Sequence, residues 1–124
     1  MALDDDMRSY YNAYNSENAD AVANLLADDV VLTSMAGTQN GKAAYLATYR
    51  YMIGLFIDRM EPLQITVAAD VATVHIRDTL TARADIADFM GQKLVAGQTL
   101  ILELTGRYSF VSGKISRIEI SPAN

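Results

Sequence analysis

A strict two-residue alternation in the second half of the chain constrains its fold more than any other feature. From Thr99 to Val111, Leu100, Leu102, Leu104, Gly106, Tyr108 and Phe110 fall on one parity. Ile101, Glu103, Thr105, Arg107, Ser109 and Val111 fall on the other. From Val71 to about Arg83, Ala72, Val74, Ile76, Asp78, Leu80 and Ala82 alternate in the same way with Thr73, His75, Arg77, Thr79 and Thr81. Successive side chains of a strand point to opposite faces. Both stretches therefore read as long strands with one apolar face inward and the other toward solvent or a second subunit. Leu63 to Ala69 and Ile115 to Ile120 read as further strands, with AAD and SGK as turns. Asp85 to Gln98, which holds Gly91 and Gly97, reads as a connection.

The first half follows a different period. Leu3, Met7, Tyr10 and Tyr14 recur at helical spacing, and Asp4, Asp5 and Asp6 sit in the first turn, where negative charge suits the helix dipole. Asn15 to Asn18 breaks that pattern. A short helix is predicted in ADAVANLLADD, then a strand in VVLTSMAG ending at Gly37, then a turn in TQNGK. Lys42 to about Asp58 reads as a third helix with Tyr45, Tyr49, Met52 and Phe56 on one stripe, ending before Pro62. Helices followed by an antiparallel meander make an α+β domain, and 124 residues suit a single domain spanning 1–124.

Composition narrows the chemistry. There is no Cys and one His, His75, so thiol nucleophiles, zinc–thiolate centres and paired-His metal sites within one chain are excluded. No metal or other cofactor is expected. Fifteen acids against ten bases, with the bases scattered singly, argue against a nucleic-acid partner. No apolar run approaches the roughly 20 residues of a membrane span. The acidic start MALDDDMRSYY lacks an apolar signal core, and a cytoplasmic location is the expectation.

The segment ADFMGQKLVAGQTLILELTGRYSFVSGKISRIEI resembles the C-terminal half of SnoaL-like proteins, with a Phe-x-Gly stretch, a Gly before a long strand, and an aromatic-x-aromatic ahead of Gly-Lys-Ile. YYNAYNSENADAVANLLADDVVLTSMAGTQNGKAA resembles their N-terminal half. The same layout occurs in ketosteroid isomerase and the wider nuclear-transport-factor-like superfamily. The resemblance implies a cone-shaped half-barrel, with three N-terminal helices packed on a curved sheet around a deep apolar pocket. It implies a homodimer and a small hydrophobic or polycyclic ligand. It also implies a polyketide cyclase-like or isomerase-like activity without a cofactor. Ketosteroid isomerase uses an Asp base with a Tyr and a protonated Asp that hold the oxyanion. By the resemblance, its Tyr falls at Tyr10, its base at Ser34 and its oxyanion Asp at Gly106. The acid–base Asp of SnoaL-type cyclases falls at or near Gly106 as well. Two positions that carry a carboxylate in those enzymes do not carry one here.

The remaining candidates come from the residues themselves. Asp78 interrupts an apolar inward row, where desolvation raises an acid's pKa and prepares it for proton transfer. A strand-end acid reaching water is the competing account. Tyr10 and Tyr108 can donate to a developing oxyanion or simply fill the core. Tyr14, Tyr49, Ser34, Gly106 and Asp85 are candidate ligand contacts, Asp85 also reading as a solvated loop acid. Arg83 and Asp85 resemble, faintly, the Arg/Asp pair of limonene epoxide hydrolases. His75 and Arg77 read as surface or interface residues, possible partners of Glu103 or Arg107 across the sheet. Two functions stand side by side: a cofactor-independent cyclase, isomerase or dehydratase, and a ligand-binding or dimerisation module without turnover.

Overall fold

The structure, a computed structural model, describes residues 3–123. Helix α1 (Leu3–Asn15) buries Met7, Tyr10, Tyr11 and Tyr14. Its Asn15 side chain accepts from Met60 N and donates to Met60 O, both at 2.8 Å, so the end of α1 pairs with a strand as another strand would. Helix α2 is only Ala19–Ala23, capped by Asn18 Oδ1, which accepts from Asp20 N at 3.0 Å. The predicted continuation through Leu25 and Leu26 is instead the entry to β1 (Leu26–Ser34), and Leu26 is buried there as a strand residue. The predicted turn TQNGK contains a short strand, β2 (Gly37–Asn40), antiparallel to β1.

Helix α3 runs Lys42–Leu55 and stops earlier than its apolar stripe suggests. Arg83 explains the stop. Its Nε donates to the carbonyls of Ile53 at 2.8 Å and Phe56 at 3.1 Å, and its guanidinium pairs with Glu17. A basic side chain on the last carbonyls ends a helix favourably. The chain turns directly into β3 (Phe56–Ala68), so Phe56 and Asp58 are strand residues rather than the tail of a helix. Pro62 lies inside β3 beside a register irregularity between Pro62 and Gln64. It is tolerated because β3 is an edge strand, where a missing N–H costs little.

Strand β4 (Val71–Ala82) pairs antiparallel with β3 and with β7 (Thr99–Val111), and β7 pairs with β8 (Lys114–Pro122). The six-stranded sheet has the order β2-β1-β8-β7-β4-β3. It is antiparallel except where β1 runs parallel to β8, a long-range pairing that no local pattern announces. The sheet is open and curves around the helices as a cone-like half-barrel. The expected connection after β4 folds into a hairpin, β5 (Ile86–Phe89) and β6 (Gln92–Leu94). Its turn passes through Met90 and Gly91, both at positive φ. Leu94 and Phe89 pack the hairpin against Phe56, Leu80 and Ala82 at one end of the cone.

The two alternating rows face as their parity requires. Ala72, Val74, Ile76, Asp78, Leu80 and Ala82 are buried, as are Leu104, Gly106, Tyr108 and Phe110. His75 and Arg77 are on the outer face, where both meet Glu103: His75 Nε2 at 3.0 Å and Arg77 Nε at 2.9 Å. Among the described residues, no helix is long and apolar enough to cross a membrane.

Candidate active site

The mouth of the cone opens on a cavity of about 250 Å³ between α1, α3 and the concave sheet face. Most of its wall is apolar: Leu32, Met52, Met60, Leu80, Leu102, Leu104, Ile118 and Ile120, with Met35, Tyr51 and Met90 exposed at the edge. Two carboxyls interrupt this wall, Asp78 and Asp58, at 4% and 3% exposure.

Strand register brings the two acids together. Asp58 lies opposite Leu80 and Met60 opposite Asp78, so the carboxyls are diagonal neighbours on one face of the β3–β4 pair. Diagonal neighbours in a sheet are within reach of each other's longer side chains. Tyr14 Oη donates to Asp58 Oδ2 at 2.8 Å. Asp58 Oδ1 and Asp78 Oδ1 are both buried with no hydrogen-bond partner. Two buried carboxyls set as diagonal neighbours in an apolar wall cannot both ionise without cost. Burial first, and then the neighbouring Asp58, hold the Asp78 carboxyl far above the usual carboxylate range. Asp78 is therefore the protonated member of the pair at neutral pH. Asp58 is anchored by the Tyr14 phenol.

Five buried tyrosines surround the pair: Tyr10, Tyr14, Tyr45, Tyr49 and Tyr108. Their hydroxyls are tied in short links. Tyr10 and Tyr45 share a hydrogen bond, Tyr11 donates to Tyr108 Oη at 2.8 Å, and Tyr49 donates to the Tyr14 carbonyl at 2.7 Å. Because Tyr108 accepts from Tyr11, its own hydrogen is available to an oxygen in the cavity. Burial pushes the Tyr10, Tyr14 and Tyr108 phenols well above their ordinary value, so each remains a neutral donor.

The cavity thus gathers Asp78, Tyr10, Tyr108, Tyr14, Tyr49 and Ser34 around one space. Asp85 and Gly106 lie outside it. Asp85 Oδ1 accepts from Ala96 N at 2.9 Å and closes the loop after β6, which is the loop-acid alternative. Arg83, bound to the end of α3, does not line the cavity either, so the two do not form an epoxide hydrolase-like pair there. Gly106 is covered by the side chains of Tyr108, Ile76 and Ile120. Asp58 is the residue that sequence reasoning missed. The alternation Phe56, Asp58, Met60 against Ile57, Arg59, Glu61 carried the signal, since it repeats the interrupted apolar row of β4. Among the described residues, no cluster of three or more acids, His or Cys suits a metal ion.

A family model described as SnoaL-like domain matches residues 7–118. No curated protein matches the chain. Solved structures do. A candidate polyketide cyclase from Pseudomonas putida is 25% identical with a TM-score of 0.79, over 92% of this chain and 86% of that one. A candidate polyketide cyclase from Xanthomonas campestris is 19% identical with a TM-score of 0.82, over 94% and 87%. An LEH-like epoxide hydrolase from M. tuberculosis is 16% identical with a TM-score of 0.76, over 94% and 79%. At 19% and 16% identity these last two speak for the fold alone.

Proposed function

This chain belongs to the SnoaL-like domain family, and we propose that it is a cofactor-independent acid–base enzyme acting on a small, largely apolar molecule, of the cyclase, isomerase or dehydratase kind. The observation that carries this reading is the Asp58–Asp78 pair in an otherwise apolar cavity. One protonated and one ionised carboxyl side by side give a proton at one atom and take one at another. Asp78, with the Tyr108 hydroxyl, would donate to a substrate oxygen. The Asp58 carboxylate would remove a proton from the neighbouring carbon, so the pair carries one proton and one negative charge before and after the transfer. General acid–base groups placed this way contribute roughly 10²–10⁴-fold to rate.

The second reading, a binding module without turnover, draws its support from Ser34 and Gly106, where the resemblance would have carboxylates. A screen of small carbonyl compounds with wild type, Asp78→Asn and Asp58→Asn separates the two. The enzyme reading expects ligands to bind all three proteins, with turnover in each variant lower by about 10²-fold or more. Turnover unchanged in Asp78→Asn sinks the mechanism. Binding by wild type with no turnover of any compound supports the second reading.

We also propose that the chain forms a homodimer through the outer sheet face. A two-fold interface sets one patch against itself, so it needs apolar area and both charge signs within that patch. The face carries Ile101 and Val111, both exposed, beside Arg77, Arg107, Glu103 and Glu119. Sedimentation at micromolar concentration is expected to give a dimer, and Ile101→Glu a monomer. A monomeric wild type at high micromolar concentration would contradict this.

A further inference from the structure

The ligand's charge is open in the acid–base reading, and the lining of the cavity narrows it. Among the described residues, two carboxyls and five buried tyrosines face the space, and no Lys, Arg or His does. A carboxylate or phosphate ligand would meet no cation there, and would sit against the charge of the acid pair. Asp78, 4% exposed, makes no hydrogen bond to any other described side chain or backbone group through Oδ1, and it lines the cavity. The walls offer aromatic faces in several orientations: Tyr14 and Tyr49 are edge-to-face at 4.8 Å, and Tyr10 and Tyr108 are tilted at 5.4 Å. The negative faces of such rings attract organic cations, most strongly where water is excluded.

We infer that the cavity takes a basic amine with a compact apolar body, bound as its ammonium ion between the Asp58–Asp78 pair and the tyrosine rings. The ammonium N–H donates to the acid pair, and its carbon skeleton lies on Met60, Leu80 and Leu102. A pair that holds one proton keeps one negative charge, so the bound complex is neutral in a site with no other charged side chain. The Tyr108 hydroxyl remains for an oxygen of the same molecule. This rests on the acid–base reading for the single proton of the pair, and names the ligand class of the same site.

Three probes of one shape test it: cyclohexylmethylamine, cyclohexylmethanol and cyclohexanecarboxylate, titrated into the wild-type protein by calorimetry or by ¹H–¹⁵N chemical shifts. The amine is expected to bind at least about tenfold tighter than the alcohol, from a charge-assisted hydrogen bond and desolvated ring faces. The carboxylate is expected to bind more weakly than the alcohol. In the double variant Asp58→Asn/Asp78→Asn the preference for the amine should vanish while the alcohol still binds. An amine no tighter than the alcohol overturns the inference, and so does a carboxylate that matches or exceeds it. The wild-type series decides this even if the double variant fails to fold. Equal binding of amine and alcohol, together with loss of turnover in Asp78→Asn, would remove the amine and leave the acid–base reading standing.

Discussion

Gly106→Asp is expected to unfold the protein or to remove most of its stability. The substitution places a carboxylate where the resemblance to ketosteroid isomerase and SnoaL-type cyclases would have one. There is no room for it. A Cβ on Gly106 would lie 2.7 Å from Tyr108 Cε1, 3.0 Å from Ile76 Cδ1 and 3.1 Å from Ile120 Cδ1. Tyr108 cannot swing aside, because it is buried and its hydroxyl is held by Tyr11 at 2.8 Å. Overpacking by a single methyl costs about 1–3 kcal/mol, so Gly106→Ala should lower the unfolding free energy by that amount. The aspartate adds a carboxyl beside Tyr108, Ile76 and Ile120 with no cation among them. An unpaired buried charge costs several kcal/mol more. Domains of this size have roughly 5–15 kcal/mol in all. Urea denaturation followed by circular dichroism reads the effect. A Gly106→Asp protein within about 1 kcal/mol of wild type would mean that the Tyr108 ring can yield.

The same position shows which parts of the site were legible in the sequence. Parity exposed the inward row of β4 and singled out Asp78, because eleven consecutive pairings with β7 run without a bulge. It also brought Tyr108 and Gly106 to the inner face. It could not show that the Tyr108 ring fills the space over Gly106, since that depends on a side-chain direction fixed from helix α1. Asp58 was hidden by a conflict between local and long-range signals. Met52 and Phe56 continue the helical stripe of α3, and no Gly or Pro stands between Leu55 and Pro62. The helix ends because pairing with β4, from Phe56 opposite Ala82 onward, and the Arg83 contacts outweigh local propensity. Asn15 then fixes Met60, two residues beyond Asp58, and Tyr14 meets the carboxyl. The parallel pairing of β1 with β8 was out of reach for the same reason, as it joins residues from opposite ends of the chain. The acid absent at Ser34 and Gly106 is thus matched by a pair on β3 and β4, and the short alternating row that holds Asp58 is overlaid by the helical stripe of α3.

That pair should make the protein less stable as the pH rises. The folded chain holds the Asp78 proton, through burial and then the neighbouring Asp58, well above the pH at which an unfolded Asp gives it up, about 4. Between those two values the native state binds more protons than the unfolded state. Stability from this group is therefore full below the unfolded value and falls as pH rises toward the folded one, by at most about 1.4 kcal/mol per pH unit for one proton. Surface acids work in the opposite sense. Glu103, lowered chiefly by its hydrogen bond with Arg77, contributes above its unfolded value and loses that contribution as pH falls. A single wild-type curve mixes the two, so the informative quantity is the difference between Asp78→Asn and wild type. Urea denaturation from about pH 5 to about pH 8 should show that difference growing in favour of Asp78→Asn, which has no proton to lose. Over those three pH units the difference should grow by up to about 4 kcal/mol. Any mismatch of the Asn amide with Asp58 shifts the whole difference by a constant and leaves its slope unchanged. A difference that stays flat across the range would mean that Asp78 is already ionised in the native cavity, and the protonated half of the acid–base pair would be lost with it.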